Sequence, residues 1–201
     1  MLSASHLTCV RGDRTLFAGL EFAVGPGEWL HVRGGNGTGK TSLLRLLAGL
    51  SQPASGEIRW CNRPVAEVVR DYRQSLVFLG HQAGVKDELT ARENLELAAA
   101  LDGCQPLPGS VPRALRRFGL EGREDLPARF LSAGQKRRVL LARLVSRKAS
   151  LWVLDEPFTA LDAGAIDMLG ALVRGHVADG GMAVITSHQA VPIDGGKRLD
   201  L

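Results

Sequence analysis

The sequence predicts an α/β fold with a parallel-sheet core and a helical subdomain inserted into it. Three observations carry this expectation. Strand and helix patterns alternate near both ends of the chain, a glycine-rich loop joins a strand directly to a helix, and helical patterns fill the stretch between.

The elements follow in order. Leu20, Phe22 and Val24 alternate with Glu21 and Ala23, and Gly25-Pro26-Gly27 then supplies a turn, with proline setting φ and glycine free to take a positive one, before an apolar run at 29–32. This reads as a hairpin feeding a buried strand. Beyond the glycines at 34–39, Leu43, Leu44, Leu46, Leu47 and Leu50 recur at helical spacing until Gly49 and Pro53 end the pattern. Residues 58–60 and 75–79 are further short strands. Thr90 and Glu93 have the spacing of a capping box that opens a helix through Leu101. The prolines and glycines of 102–112 predict a loop, followed by helices around 114–118 and 133–146. The apolar run 151–154 suits a strand covered on both faces, Asp162 can cap a helix carrying Ile166, Leu169, Leu172 and Val173, and Gly180-Gly181 ends that helix before a last apolar run at 182–185.

A chain of 201 residues amounts to one domain, and 45% hydrophobic with 23% charged residues is enough to bury a core. No run approaches the roughly 18 to 20 apolar residues of a spanning helix, and residues 1–14 lack the apolar stretch of a secretory signal, so the expectation is a chain that neither crosses a membrane nor is exported. Cys9, Cys61 and Cys104 are odd in number and form no ligand spacing, which reads as reduced thiols with packing roles. The net charge of +4 is small. Arg113, Arg116 and Arg117, and Lys136, Arg137 and Arg138, are basic clusters without interleaved aromatics, and are read as solvated helix faces instead of a nucleic-acid patch.

The chemistry concentrates in three places. Gly34-Gly35-Asn36-Gly37-Thr38-Gly39-Lys40-Thr41, with Ser42 following, matches GxxxxGK[ST] between a strand and a helix. Polyphosphate needs converging backbone N–H groups and a helix N-terminus behind them, and glycine lets the backbone come close. Lys40 supplies a point charge for the β and γ phosphates, and the Thr41 hydroxyl is a hard oxygen suited to Mg²⁺. The run 151–154 ends in adjacent carboxylates, Asp155 to hold the Mg²⁺ shell and Glu156 as candidate base toward the γ phosphate. Leu131-Ser132-Ala133-Gly134-Gln135 opens a helix.

Together with Ala160-Leu161-Asp162 and the lone His188 after a terminal strand, these motifs resemble the nucleotide-binding subunit of an ATP-binding cassette transporter over essentially the whole chain. The resemblance implies a RecA-like phosphate-loop NTPase core at about 1–82 and 150–201, with an N-terminal antiparallel β subdomain and a helical subdomain at about 83–149. It also implies ATP and Mg²⁺ as ligands, and a head-to-tail dimer of two copies in which Ser132, Gly134 and Gln135 of one copy face the other's phosphate loop. His188 looks like the switch histidine at the γ phosphate. Asp162 looks like the aspartate that bridges protomers, although a plain helix cap explains it equally well. Ala133 stands where the family has glycine, a one-methyl change expected to be tolerated. The family's aromatic partner for adenine, counted back from Gly34, falls on Arg11; its guanidinium could stack there, or Phe17 could substitute. The Mg²⁺-sensing glutamine, with catalytic and metal roles, falls on Gln82, preferred over His81 because an amide oxygen is the harder ligand.

Within the cassette family, the stretches 80–95, 131–138 and 185–189 resemble the haem exporter ATPases of bacterial cytochrome c maturation, the CcmA family. The shortness of the chain beyond His188 agrees with that. This implies a peripheral ATPase at the cytoplasmic face of the inner membrane, integral membrane subunits as partners, and a periplasmic haem chaperone served indirectly. No direct haem ligation is expected, since His6 and Cys9 lack a Cys-Pro or CxxCH context. Another small exporter's ATPase would share the motifs. A cassette acting on ribosomes or nucleic acid would ordinarily need a second cassette or a coiled-coil insertion, for which the stretch between Gln82 and Leu131 leaves no room.

Overall fold

The computed structural model describes residues 1–80, 84–159, 161–188 and 191–201. Among them run nine strands, β1 (Leu2–Arg11), β2 (Arg14–Val24), β3 (Trp29–Arg33), β4 (Ser55–Trp60), β5 (Arg63–Pro64), β6 (Leu76–Leu79), β7 (Leu151–Asp155), β8 (Met182–Thr186) and β9 (Lys197–Asp200). The helices are α1 (Lys40–Leu47), α2 (Val69–Ser75), α3 (Ala91–Leu101), α4 (Ser110–Arg117), α5 (Ala133–Ser146) and α6 (Ala163–Ala178). None of the described helices is long and apolar enough to cross a membrane.

Two sheets form. The antiparallel one has the order β2-β1-β4-β5, and the other, parallel throughout, has the order β6-β7-β8-β3-β9. The hairpin is therefore β1–β2, and the turn after Val24 leaves it: Glu28 N donates to the Gly25 carbonyl, Gly27 takes φ 76°, and the chain crosses to the parallel sheet as β3. Pro26 then Gly27 is the residue order a type II turn requires.

The parallel sheet separates two cores. Every residue of β7 and of β8 is buried, and neighbours along each strand point to opposite sides. Leu151, Val153, Met182 and Val184 pack with Leu43, Leu44 and Leu47 of α1 and with Leu2, Leu7 and Val24 of the antiparallel sheet. Trp152, Leu154, Ala183 and Ile185 pack on the other side with Leu95, Leu115, Leu140, Leu144, Leu169 and Val173, from α3 to α6. Thr90 and Glu93 close the expected capping box at α3. α4 begins at Ser110, earlier than the loop expected through Pro112 allows. Pro112 occupies its third position, inside the first turn, where a missing N–H costs nothing. Arg147, just past α5, fastens the helices to the core by donating to the carbonyls of Gln74 and Leu76 and to Asp102 at the end of α3.

Two histidines stack on tryptophans. His176 of α6 stacks on Trp152 at 3.9 Å and 2°, and His31 of β3 stacks on Trp29. Burial holds both pKa values below the ordinary histidine range. A base whose folded pKa is depressed takes its proton first in the unfolded chain, so stability falls as pH drops through about 6.5 and downward. The thermal midpoint should fall between pH 7 and 5, and His176→Phe, which keeps the stack and removes the titration, should reduce that fall. Melting curves across this range check it, and an unchanged pH slope would contradict it.

Candidate nucleotide site

Strand order builds the site. β8 lies between β3 and β7, and Thr186 is level with Val32 on one side and Asp155 on the other, so the carboxyl ends of three neighbouring parallel strands reach one edge together. There the glycine loop leaves β3, the acid pair ends β7, and His188 follows β8. A cavity of about 400 Å³ opens among them, lined by Leu16, Asn36, Gly37, Gly39, Lys40, Thr41, Ser42, Asp155, Glu156 and His188.

The loop conformation demands its glycine at Gly39, which takes φ 110°; a Cβ there would come within 3.1 Å of Leu16 and of the Phe17 ring. Gly39 is also the N-cap of α1 and offers no side-chain cap, leaving the first N–H groups of that helix for an anion. Lys40 is buried, and its Nζ donates to the carbonyls of Gly34 and Gly35 at 2.8 and 2.9 Å, lying across the loop. Thr38 Oγ1 donates to the Gly35 carbonyl and tightens the same turn. The Thr41 hydroxyl donates to Asp155 Oδ2 at 2.8 Å, while Asp155 Oδ1 accepts from Thr186 at 2.8 Å.

Glu156 is held by its backbone. Its φ is 49°, a region that side-chain-bearing residues rarely occupy and that persists only when surroundings enforce it. Its N–H donates to Thr186 Oγ1 at 2.9 Å and its carbonyl accepts from Arg137 at 2.9 Å. The His188 N–H donates to Oε2 at 3.3 Å. Oε1 is buried, makes no hydrogen bond among the described residues and lies 3.4 Å from His188 Nε2. An orphaned carboxylate oxygen facing a phosphate loop is costly for stability and available for chemistry.

Not every expected residue joins this cavity. Ser132, Gly134 and Gln135 are at the N-terminus of α5, where Ser132 and Gln135 form a reciprocal capping box and Ser132 and Gly134 are exposed; none of the three lines the cavity. Arg11 is exposed at the end of β1 and also stands apart, whereas Leu16 lines the cavity and Phe17 is buried beneath Gly39. Asp162 caps α6 through Oδ1 and accepts from Arg138 through Oδ2. His81 and Gln82 lie outside the described residues. In the cluster Lys136–Arg138 only Arg137 departs from a solvated face, reaching inward to Glu156, while Lys136 pairs with Asp87 at 2.5 Å and Arg138 with Asp162 at the surface. Arg137 and Thr186 also belong to the site, and nothing in the sequence marks them because their partners are remote in the chain.

This fold and this edge define a nucleotide-binding cassette ATPase, and the family described as ABC transporter matches residues 17–159. A dimeric bacterial ABC transporter cassette superposes with a TM-score of 0.85 at 23% identity, covering 100% of this chain and 94% of its own. An ATP-binding subunit of an ABC transporter gives 0.82 at 28% identity, over 93% of this chain and 79% of its own. Among curated proteins, the cytochrome c biogenesis ATP-binding export protein CcmA of Dechloromonas aromatica is 52% identical over 201 residues, 100% of this chain and 98% of the relative. That of Nitrosomonas europaea is 50% identical over 189 residues, 94% and 89% respectively. The chain belongs to the CcmA family of ABC transporter ATP-binding proteins.

Proposed function

We propose that the chain hydrolyses Mg-ATP as the nucleotide-binding subunit of a membrane complex that handles haem for cytochrome c maturation. The observation that carries the ATPase reading is the delivery of Lys40, Thr41, Asp155, Glu156 and His188 to one cavity by three adjacent parallel strands. The haem assignment rests on kinship with the cytochrome c biogenesis export proteins. On this reading the chain is one cassette, with a core at about 1–82 and 150–201 and a helical subdomain at about 83–149. It sits on the cytoplasmic face of the inner membrane, bound to integral membrane subunits through the groove between core and helices. A periplasmic haem chaperone benefits indirectly, haem contacts the partners and not this chain, and nucleic acid is not a partner.

The N–H groups of the loop and of α1 bind the polyphosphate, and Lys40 turns from the Gly34 and Gly35 carbonyls to the β and γ phosphates. Thr41 Oγ1 and Asp155 Oδ2 are hard-oxygen donors at hydrogen-bond distance from each other, the donor chemistry Mg²⁺ takes, with Gln82 as the third expected contact. When bound, the ion would neutralise charge on the phosphate oxygens. Glu156 Oε1 takes the proton of the attacking water, and His188 contacts the γ phosphate. The adenine contact is left to Arg11 or Phe17 by the family count, and Leu16 lines the cavity.

Ser132, Gly134 and Gln135 act on the nucleotide of a second copy, which explains their distance from the cavity of their own chain. The test is complementation. Ser132→Arg and Lys40→Ala should each abolish turnover alone. In a mixture, a head-to-tail heterodimer collects both defects in one site and leaves the other whole, so a 1:1 mixture should recover about a quarter of wild-type turnover. A mixture inactive at every ratio would rule out the shared-site arrangement.

A further inference from the structure

Arg137, half-buried, links α5 to the acid pair. It lies on the first turns of that helix, just beyond the Ser132–Gln135 capping box, and its guanidinium crosses to the end of β7, where an Nη donates to the Glu156 carbonyl at 2.9 Å. Nε is buried and makes no hydrogen bond among the described residues. Burial works against the charge of the guanidinium, and the Asp155 carboxylate favours it. A helix surface arginine would not be placed there for solubility. The bond falls on a residue whose backbone is in the left-handed region, and it completes a clamp: Thr186 of β8 takes the N–H of Glu156 and Arg137 takes its carbonyl. With both polar groups of the peptide backbone fixed from different elements, the direction of the Glu156 side chain is fixed as well.

We infer that Arg137 is a positioning residue for Glu156, tying the helix whose N-terminus serves the opposite nucleotide to the base that serves its own. The inference rests on the reading of Glu156 as the base. Through this tie, displacement of the α5 N-terminus reaches Glu156 through one side chain and no loop. Arg137 does not line the nucleotide cavity; it acts by holding the Glu156 carbonyl.

The experiment is a double-mutant cycle in the full-length protein, reading kcat and KM for ATP separately. Arg137→Ala should lower kcat about 10- to 100-fold with KM within about twofold, and Arg137→Lys, which restores a cationic donor, should recover part of the loss. Added to Glu156→Gln, Arg137→Ala should cost nothing further, because the group it positions is already disabled. Full additivity in the cycle, or loss in KM alone, would overturn the role. Unimpaired turnover of Glu156→Gln would instead overturn the base reading, which keeps the two failures apart. The mixed dimers give a second readout: Arg137→Ala on the Ser132→Arg copy, whose Glu156 serves the whole site, should silence the mixture, and on the Lys40→Ala copy should spare it. The reverse pattern would place Arg137 with the α5 terminus and contradict the inference. If Arg137→Ala fails to fold, Arg137→Lys and Arg137→Gln carry the same cycle.

Discussion

Glu156→Gln should lose about 10²- to 10⁴-fold of ATP turnover, the usual contribution of a positioned general base, while keeping Mg-ATP affinity. The amide preserves the shape of the side chain and the His188 N–H contact to its oxygen, and removes only the proton acceptor and its charge. That charge sits in a buried position beside the phosphate loop, where it repels a γ phosphate; its removal should let the protein accumulate as an ATP-bound dimer. His188→Ala should also lose turnover, without the gain in dimer, because it deletes a phosphate contact and leaves the repulsion. Size-exclusion chromatography with ATP and Mg²⁺, beside a phosphate-release assay, reads both quantities. Full hydrolysis by Glu156→Gln would discard Glu156 as the base.

Lys40→Ala should abolish nucleotide binding at micromolar protein. A charge-assisted hydrogen bond is worth about 1.5–3 kcal/mol, and the ammonium, which makes two bonds to loop carbonyls, can redirect at least two of them to phosphate. Loss of two corresponds to about 3–6 kcal/mol, or roughly 10²- to 10⁴-fold in affinity. Titration calorimetry with ATP measures it, and affinity retained within about twofold would remove Lys40 from the assigned role.

The local chemistry was legible in the sequence where a ligand dictates a contiguous pattern. The glycine loop, the acid pair and the α3 capping box each lie within a few residues, and each is recognisable because phosphate, metal and helix N-terminus impose fixed residue types at fixed spacing. What escaped depends on remote pairing. In β1 the apolar positions Leu2 and Ala4 change phase to Leu7 and Cys9 across a bulge at His6, where φ is 49°, so no period of two survives over the whole strand. β9 reads Lys-Arg-Leu-Asp and has no apolar run, yet it pairs with β3 as an edge strand. α2 buries only Tyr72, whose hydroxyl donates to the Leu47 carbonyl and whose pKa burial pushes above the ordinary range. Arg137 looked like one member of a basic run because its partner, the carbonyl of Glu156, is a backbone atom that carries no residue signature. For the same reason, the expectation of an adenine contact at Arg11 came from counting along the chain, while Leu16 reaches the cavity through the path of β2.

ATP hydrolysis at this site is expected to drive haem handling for c-type cytochromes. The most direct measurement is haem staining of periplasmic proteins in cells whose only copy of the chain carries Glu156→Gln, with b-type haem proteins followed in parallel. The c-type cytochromes should disappear, b-type proteins should persist, and the variant should remain bound to its membrane partners. Normal c-type cytochromes in cells holding an ATP-locked dimer would contradict the haem assignment while leaving the ATPase standing.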